Sequence, residues 1–256
     1  MLSSSNARLA AARRLTRRQA RRDAGRFLAE GAQAVREALA ADAVLELFAT
    51  ADAIERHPEL TAGAAEIGAK DAAALSETVT PQGLVAVCRA VDVPLDAALA
   101  SRPALVAALV NANDPGNAGT ILRTADAAGA GAVIFAGGVD PYNGKAVRAS
   151  AGSLFHLDVV TGVDVAELLD AARVAGLRAL ATSGAGGRDL DELVDSGELA
   201  GPTLWLFGNE ARGLPPEAVA AADESVRVPI HGRAESLNLA AAAAVCLYAS
   251  ARAQRT

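Results

Sequence analysis

LWLFGNEARGLPPEAVAAADESVRVPIHGRAESLNLAAAAAVCLYASA, residues 204–251, is the stretch whose alternation decides the fold. An apolar run, Leu204 to Phe207, meets Gly208-Asn209-Glu210. A second run, Ser225 to Ile230, meets His231-Gly232-Arg233-Ala234-Glu235, and a long Ala-rich helical segment closes the chain. Strand, polar loop and helix in repetition is the pattern of a parallel sheet covered by helices. Ligands of such sheets collect in loops beyond the carboxyl ends of the strands. A third loop of this kind lies upstream, Asn113 to Asn117, after the apolar run 104–110. There Asn111, Asn113, Asp114 and Asn117 put four short polar side chains within seven residues. Three such loops predict one composite site.

Outward from that stretch, strands are predicted at 104–110, 132–137, 178–183, 203–207 and 225–230. Helices are predicted at 118–129, 143–151, 164–176, 189–195, 215–221 and 236–253, with Asn117 and Ser236 as N-caps. The N-terminal part is an α/β unit of its own. A helix from Ala7 to Arg22, capped by Asn6 and ended by Gly25, precedes strands at 26–29, 44–50 and 82–90. Helices at 33–41, 52–57, 62–69 and 70–75 lie between them. The expected boundaries are a basic helix at 1–25, a small domain at 26–92, a linker at 93–103 containing Pro94 and Pro103, and a larger domain at 104–256.

Composition narrows the function. The chain has 256 residues, 52% of them hydrophobic but only 3% aromatic, so its core must be built mostly from Ala, Val and Leu. The net charge of −6 hides an asymmetry. Arg8, Arg13, Arg14, Arg17, Arg18, Arg21, Arg22 and Arg26 face only Asp23, giving +7 in the first 26 residues and −13 in the rest. A basic helix on an acidic body can hold phosphates locally and predicts an RNA contact. Cys88 and Cys246 lie in apolar runs and are expected to be reduced and buried. No run of 18 uncharged apolar residues and no apolar signal core occurs, which predicts a cytoplasmic protein away from membranes. His57, His156 and His231 are scattered, so no metal site is expected. No G-x-S-x-G elbow, dinucleotide fingerprint or phosphate loop is present.

Three segments, NDPGNAGTILRTADAAG (113–129), LFGNEARGL (206–214) and VPIHGRAESLNLAAAAAVCLYA (228–249), resemble in letters, order and spacing the motifs of the SpoU/TrmH RNA 2′-O-ribose methyltransferases of the SPOUT superfamily. RFLAEGAQAVREAL and TPQGLVAV resemble the ribosomal-protein-like RNA-binding domain that often precedes them. The resemblance implies an α/β fold with a C-terminal trefoil knot, S-adenosylmethionine as cofactor, and a homodimer joined through the knotted domain. It implies cofactor contacts at Gly208, Val228 and Leu237, with Asn209, Ile230 and Thr182 beside them. It matches Arg123 to the family's catalytic arginine and Asn117, Glu210, Ser236 and Asn238 to its supporting polar residues. Glu210 or Glu235 is expected to face Arg123. The implied reaction is 2′-O-methylation of ribosomal RNA, in particular 23S rRNA. The alternatives are the same chemistry on transfer RNA, or a non-catalytic RNA-binding or ribosome-assembly protein. Arginine is often proposed as the base in this family. Neutralising a guanidinium at pH 7 costs roughly 7 kcal/mol, so a cationic role for Arg123 is expected instead.

Overall fold

The computed structural model describes residues 1–255, which divide into two compact units. One comprises Met1–Val91 together with Asp140–His156; the other comprises Asp92–Val139 and the chain from Leu157 onward.

The first unit opens with helices α1 (Ala7–Arg14) and α2 (Arg18–Ala24), where the sequence predicts one helix. The break is local chemistry. Thr16 Oγ1 donates to the Arg13 carbonyl at 2.9 Å, competing with the helical ladder. The carbonyls freed at Leu15 and Thr16 accept from Arg21 Nη1 at 2.9 and 3.0 Å. Gly25, left-handed at φ 59°, then ends α2. Strands β1 (Arg26–Glu30), β2 (Val44–Ala49), β3 (Ala65–Glu66) and β4 (Leu84–Arg89) form a sheet of order β1-β4-β2-β3. Helices α3 (Ala32–Ala40), α4 (Ala51–Arg56) and α5 (Ala69–Leu75) alternate with them. The helix predicted over 62–69 is absent. Gly63, at φ 77°, and Gly68 interrupt it, and Ala65 pairs with Phe48 instead.

The second unit begins at Asp92, one residue before the predicted linker, and takes in all of it. Residues 95–100 form helix α6 (Leu95–Ala100), whose Leu95, Ala98 and Leu99 are buried in the core, so this segment is not a linker. Strands β5 (Leu105–Val110) and β6 (Ala132–Ala136) flank helix α7 (Pro115–Ala128). The chain then leaves to place helix α8 (Gly144–Ser150) in the first unit, where Arg148 pairs with Glu30 at 3.2 Å. It returns as β7 (Asp158–Thr161), a strand the sequence pattern did not reveal. Helix α9 (Val165–Ala175), β8 (Arg178–Thr182), β9 (Arg188–Asp189), α10 (Leu190–Asp195), β10 (Thr203–Phe207), α11 (Pro216–Ala221), β11 (Glu224–Arg227) and α12 (Leu239–Ala253) follow.

The seven strands are ordered β7-β6-β5-β10-β8-β11-β9, and every pair is parallel. Strands β5, β6 and β10 are buried at every position, as strands covered on both faces must be, which explains their unbroken apolar sequences. Helix α12 packs on α7, β5 and β10 through Ala240, Ala243, Cys246, Leu247 and Ser250, one helical stripe of small and apolar groups. Trp205 Nε1 donates to Ser250 Oγ at 2.9 Å, so the one tryptophan is satisfied inside this contact. Cys88 and Cys246 are buried free thiols, and burial pushes both up to about 12. Strand order turns at β5–β10: β6 and β7 lie to one side, β8 and β11 to the other. The loops after β5, β8, β10 and β11 therefore meet at one carboxyl edge, where open α/β sheets bind ligands.

Candidate cofactor and catalytic site

The loop after β10 is a tight turn. Asn209 and Gly213 exchange backbone hydrogen bonds of 2.9 and 2.8 Å, and Asn209 Oδ1 accepts from the Ala211 and Arg212 N–H groups. The turn folds back on Gly208. A Cβ there would lie 2.3 Å from backbone atoms of Gly213 and Leu214, so only glycine fits. Gly186, after β8, is equally constrained, its notional Cβ falling 2.6 Å from the Val226 backbone.

From this turn Glu210 reaches the loop after β5. Its carboxylate accepts from the Asn113 and Asp114 N–H groups at 3.0 Å each and from Asn117 Nδ2 at 3.1 Å. Asn117 Oδ1 in turn accepts from Asn238 Nδ2 at 3.1 Å, tying in the third loop. Asn209 Nδ2 adds a bond to the Asn111 carbonyl at 2.9 Å. Burial pushes the Glu210 carboxyl up, but the hydrogen bonds from Asn113, Asn117 and Asp114 outweigh it and hold the group below the usual carboxylate range. Glu210 is thus an ionised staple between loops. It does not pair with Arg123, contrary to one sequence expectation.

Two caps also differ from expectation. Asp114, not Asn117, caps α7, accepting from the Asn117 N–H at 2.9 Å with Pro115 at the first helical position. Asn238, not Ser236, caps α12, accepting from the Ala240 and Ala241 N–H groups. The side-chain cap supplied by Asp114 leaves the Asn117 side-chain amide to bond Glu210 and Asn238.

Around these loops lies a cavity of about 500 Å³. Thr182, Gly208, Asn209, Val228, Ile230 and Leu237 all line it, as do Glu210 and Ser236. Asn117 and Asn238 stand behind its wall through their bonds to Glu210 and to each other. Arg123 is on an exposed position of α7, outside the lining, and makes no ion pair among the described residues. Sequence reasoning overlooked Ser183 and Gly184, whose signal was the SGAGG run directly after β8, and the apolar walls Leu214 and Val219. Among the described residues no cluster of His, Cys, Asp or Glu could hold a metal, and no helix is long and apolar enough to cross a membrane.

Residues 104–248 match the model of the SpoU rRNA methylase family, and residues 6–86 match an MRM3-like substrate binding domain. The chain is 35% identical over 225 residues to the 23S rRNA (guanosine(2553)-2′-O)-methyltransferase RlmP of Bacillus subtilis, with 87% of each chain covered. It is 41% identical over 142 residues to the 23S rRNA (uridine(2479)-2′-O)-methyltransferase of Streptomyces viridochromogenes, covering 54% of this chain and 49% of that one. Among solved structures, the SpoU methyltransferase AviRb of that organism, in complex with the cofactor AdoMet, superposes with a TM-score of 0.84 at 32% identity, covering 98% of both chains.

Proposed function

The chain belongs to the SpoU rRNA methylase family, and on that premise we propose that it methylates the 2′-hydroxyl of one ribose in 23S ribosomal RNA. It is an RNA methyltransferase that uses S-adenosylmethionine, as its relatives and the AdoMet-bound neighbour indicate. The observation that carries the reading is the staple: one ionised carboxylate, Glu210, draws three polar loops around one cavity.

The cavity suits this cofactor. Leu214, Val219 and Leu239 offer an apolar wall for a flat heterocycle, and Gly208 lets main chain approach without a side chain. Gly208, Asn209, Thr182, Val228, Ile230 and Leu237 would hold it. When bound, S-adenosylmethionine supplies an electrophilic methyl carbon on a sulfonium sulfur. The protein's task is positioning: it must hold a ribose oxygen in line with that carbon and keep water out. Arg123 stays cationic and stabilises the developing alkoxide, while the proton leaves to water or a substrate phosphate. Asn117, Glu210 and Asn238 keep the loops in register through their mutual hydrogen bonds, and Ser236 lines the cavity beside them.

The first unit recognises RNA, consistent with its match to a substrate binding domain. Arg14, Arg17, Arg18, Arg22 and Arg26 are exposed there and make no ion pair among the described residues. We further read the second unit as trefoil-knotted, which the close backbone approaches at Gly186 and Gly208 support, and as the dimerising half, which exposed Val245 and Tyr248 on α12 support. The setting of the work is the cytoplasm.

Titration calorimetry with S-adenosylmethionine tests the reading. Saturable binding is expected, and its abolition in Gly208→Ala, whose methyl would collide with Gly213 and Leu214. Absence of binding by the folded wild-type chain would favour a non-catalytic RNA-binding protein that keeps the fold.

A further inference from the structure

A second cavity, of about 490 Å³, adjoins the first and shares Asn209, Arg212, Gly213 and Leu214 with it. Its other walls are Asn111, Asn113, Pro215 and Pro216. We propose that this cavity seats the target nucleotide, with Arg212 holding a phosphate of that nucleotide and Asn113 and Asn111 reading its base. The inference rests on the methyltransferase reading and extends it to residues that none of the three motifs' assigned roles includes.

The chemistry of the walls is selective. Arg212 is the one charged residue among the described residues that line the cavity, and it makes no ion pair among them. An exposed guanidinium without a carboxylate beside it is set to bind an anion, and its planar fork matches phosphate. Side-chain amides present a donor and an acceptor together, the arrangement that pairs with a base edge. The Asn113 N–H is fixed by Glu210 at 3.0 Å, and its side chain makes no hydrogen bond among the described residues. The two prolines add a rigid apolar wall.

The wall carrying Asn111 is also prebuilt. Asn111 is left-handed at φ 53°, a conformation that asparagine adopts more readily than most residues other than glycine. It is locked from both sides. Its N–H donates to the Ala136 carbonyl at 3.1 Å and its carbonyl accepts from Asn209 Nδ2 at 2.9 Å. Gly137 and Gly138 press against it so closely that a Cβ on either would lie 2.6 Å from Asn111 Oδ1 or 2.2 Å from the Ala112 carbonyl. One turn, 209–213, separates the two cavities, so a ribose at their boundary would meet the methyl donor directly.

The test uses the full chain, an unmodified 23S rRNA transcript and tritiated S-adenosylmethionine, with Arg212→Ala, Arg212→Lys and Asn113→Ala. For both alanine variants kcat/KM for RNA is expected to fall about tenfold, the scale of one charge-assisted or bidentate contact. Cofactor Kd by calorimetry should stay within about twofold, and Arg212→Lys should recover part of the loss, since lysine keeps the charge but not the fork. Unchanged kcat/KM in both alanine variants would overturn the proposal. So would a cofactor Kd that weakens in step with RNA turnover, which would assign Arg212 to the first cavity. If the wild type transfers no methyl, the enzymatic reading itself fails. The subsite is then judged by the transcript's Kd: loss on Arg212→Ala supports it and no loss refutes it.

Discussion

Arg123 and Glu210 are the charged side chains that the motifs single out in the loop-and-helix segments after β5 and β10, and the structure treats them oppositely. Glu210 is fully engaged, with three donors on one carboxylate. Arg123 has no ion-pair partner among the described residues. A group held below the ordinary carboxylate range is a poor proton acceptor at neutral pH, so Glu210 serves architecture, and Arg123 carries the substrate role proposed above. Replacing Arg123 by Lys keeps charge but loses the fork. We expect kcat to fall roughly 100-fold, the scale of a lost oxyanion contact, with cofactor Kd unchanged. Near-normal kcat, or a kinetic pKa that this substitution removes, would contradict a cationic, fork-dependent role. Glu210 was legible because a Gly-Asn-Glu run stands directly after an apolar strand, whereas Arg123 was singled out only by the family resemblance. The partners were not legible: that Glu210 reaches Asn117, 93 positions away, is a fact of tertiary structure that local spacing cannot carry. The caps misled for the same reason, since Asn117 and Ser236 are good capping types displaced by better-placed neighbours.

At the level of elements, the far edge of the parallel sheet is held by charge. Arg178 on β8 bonds to Glu224 on β11 and to Glu198 at 3.0 Å, and Arg188 on β9 bonds to Glu198 at 3.0 Å and to Glu224 at 3.4 Å. Strand β9 has two residues, too few to hold a sheet edge through backbone pairing alone. The Arg188 guanidinium, helped by Ser196 and Arg178, holds the Glu198 carboxyl at about 2. A carboxyl depressed in the folded state stabilises above its unfolded value and ceases to do so as pH falls through the folded one. The contribution of Glu198 is therefore present above about pH 4.5 and lost progressively toward pH 2. In thermal melts across that window, Glu198→Gln should show a shallower acid decline than wild type; parallel curves would remove Glu198 from the account. The strands of this sheet were legible where they are long and apolar, as at β5, β6 and β10. They were not where they are short, as at β7 and β9; helix α6 was missed because its proline-flanked sequence reads as linker while Leu95 and Leu99 bury themselves in the core.

Across the whole molecule, the chain is not a string of domains. The crossover between β6 and β7 contributes residues 140–156 to the first unit, where Asp140 takes a buried ion pair from Arg21 at 2.7 Å. Nothing in composition marks this excursion, because α8 is an ordinary helix whose partners are over 100 residues upstream. The basic segment is likewise no detachable arm. Leu9, Ala12 and Leu15 are buried in the first unit's core, so removing the segment would open that core. Changing Arg14, Arg17, Arg18 and Arg22 to Gln removes charge from exposed positions and leaves that core intact. If each contacts one phosphate, the slope of log Kobs against log salt for rRNA binding should become shallower by roughly 3, while cofactor affinity holds. An unchanged slope would take these arginines out of the RNA interface.

The central claim is methyl transfer to one ribose of ribosomal RNA, and mapping 2′-O-methylation on total RNA from cells with and without this gene tests it most directly. We predict the loss of a single 2′-O-methyl in 23S rRNA, restored by the wild-type chain and not by Arg123→Lys. A loss confined to transfer RNA would contradict the assigned substrate, and no loss in any RNA would contradict the enzymatic role on the cell's own RNA.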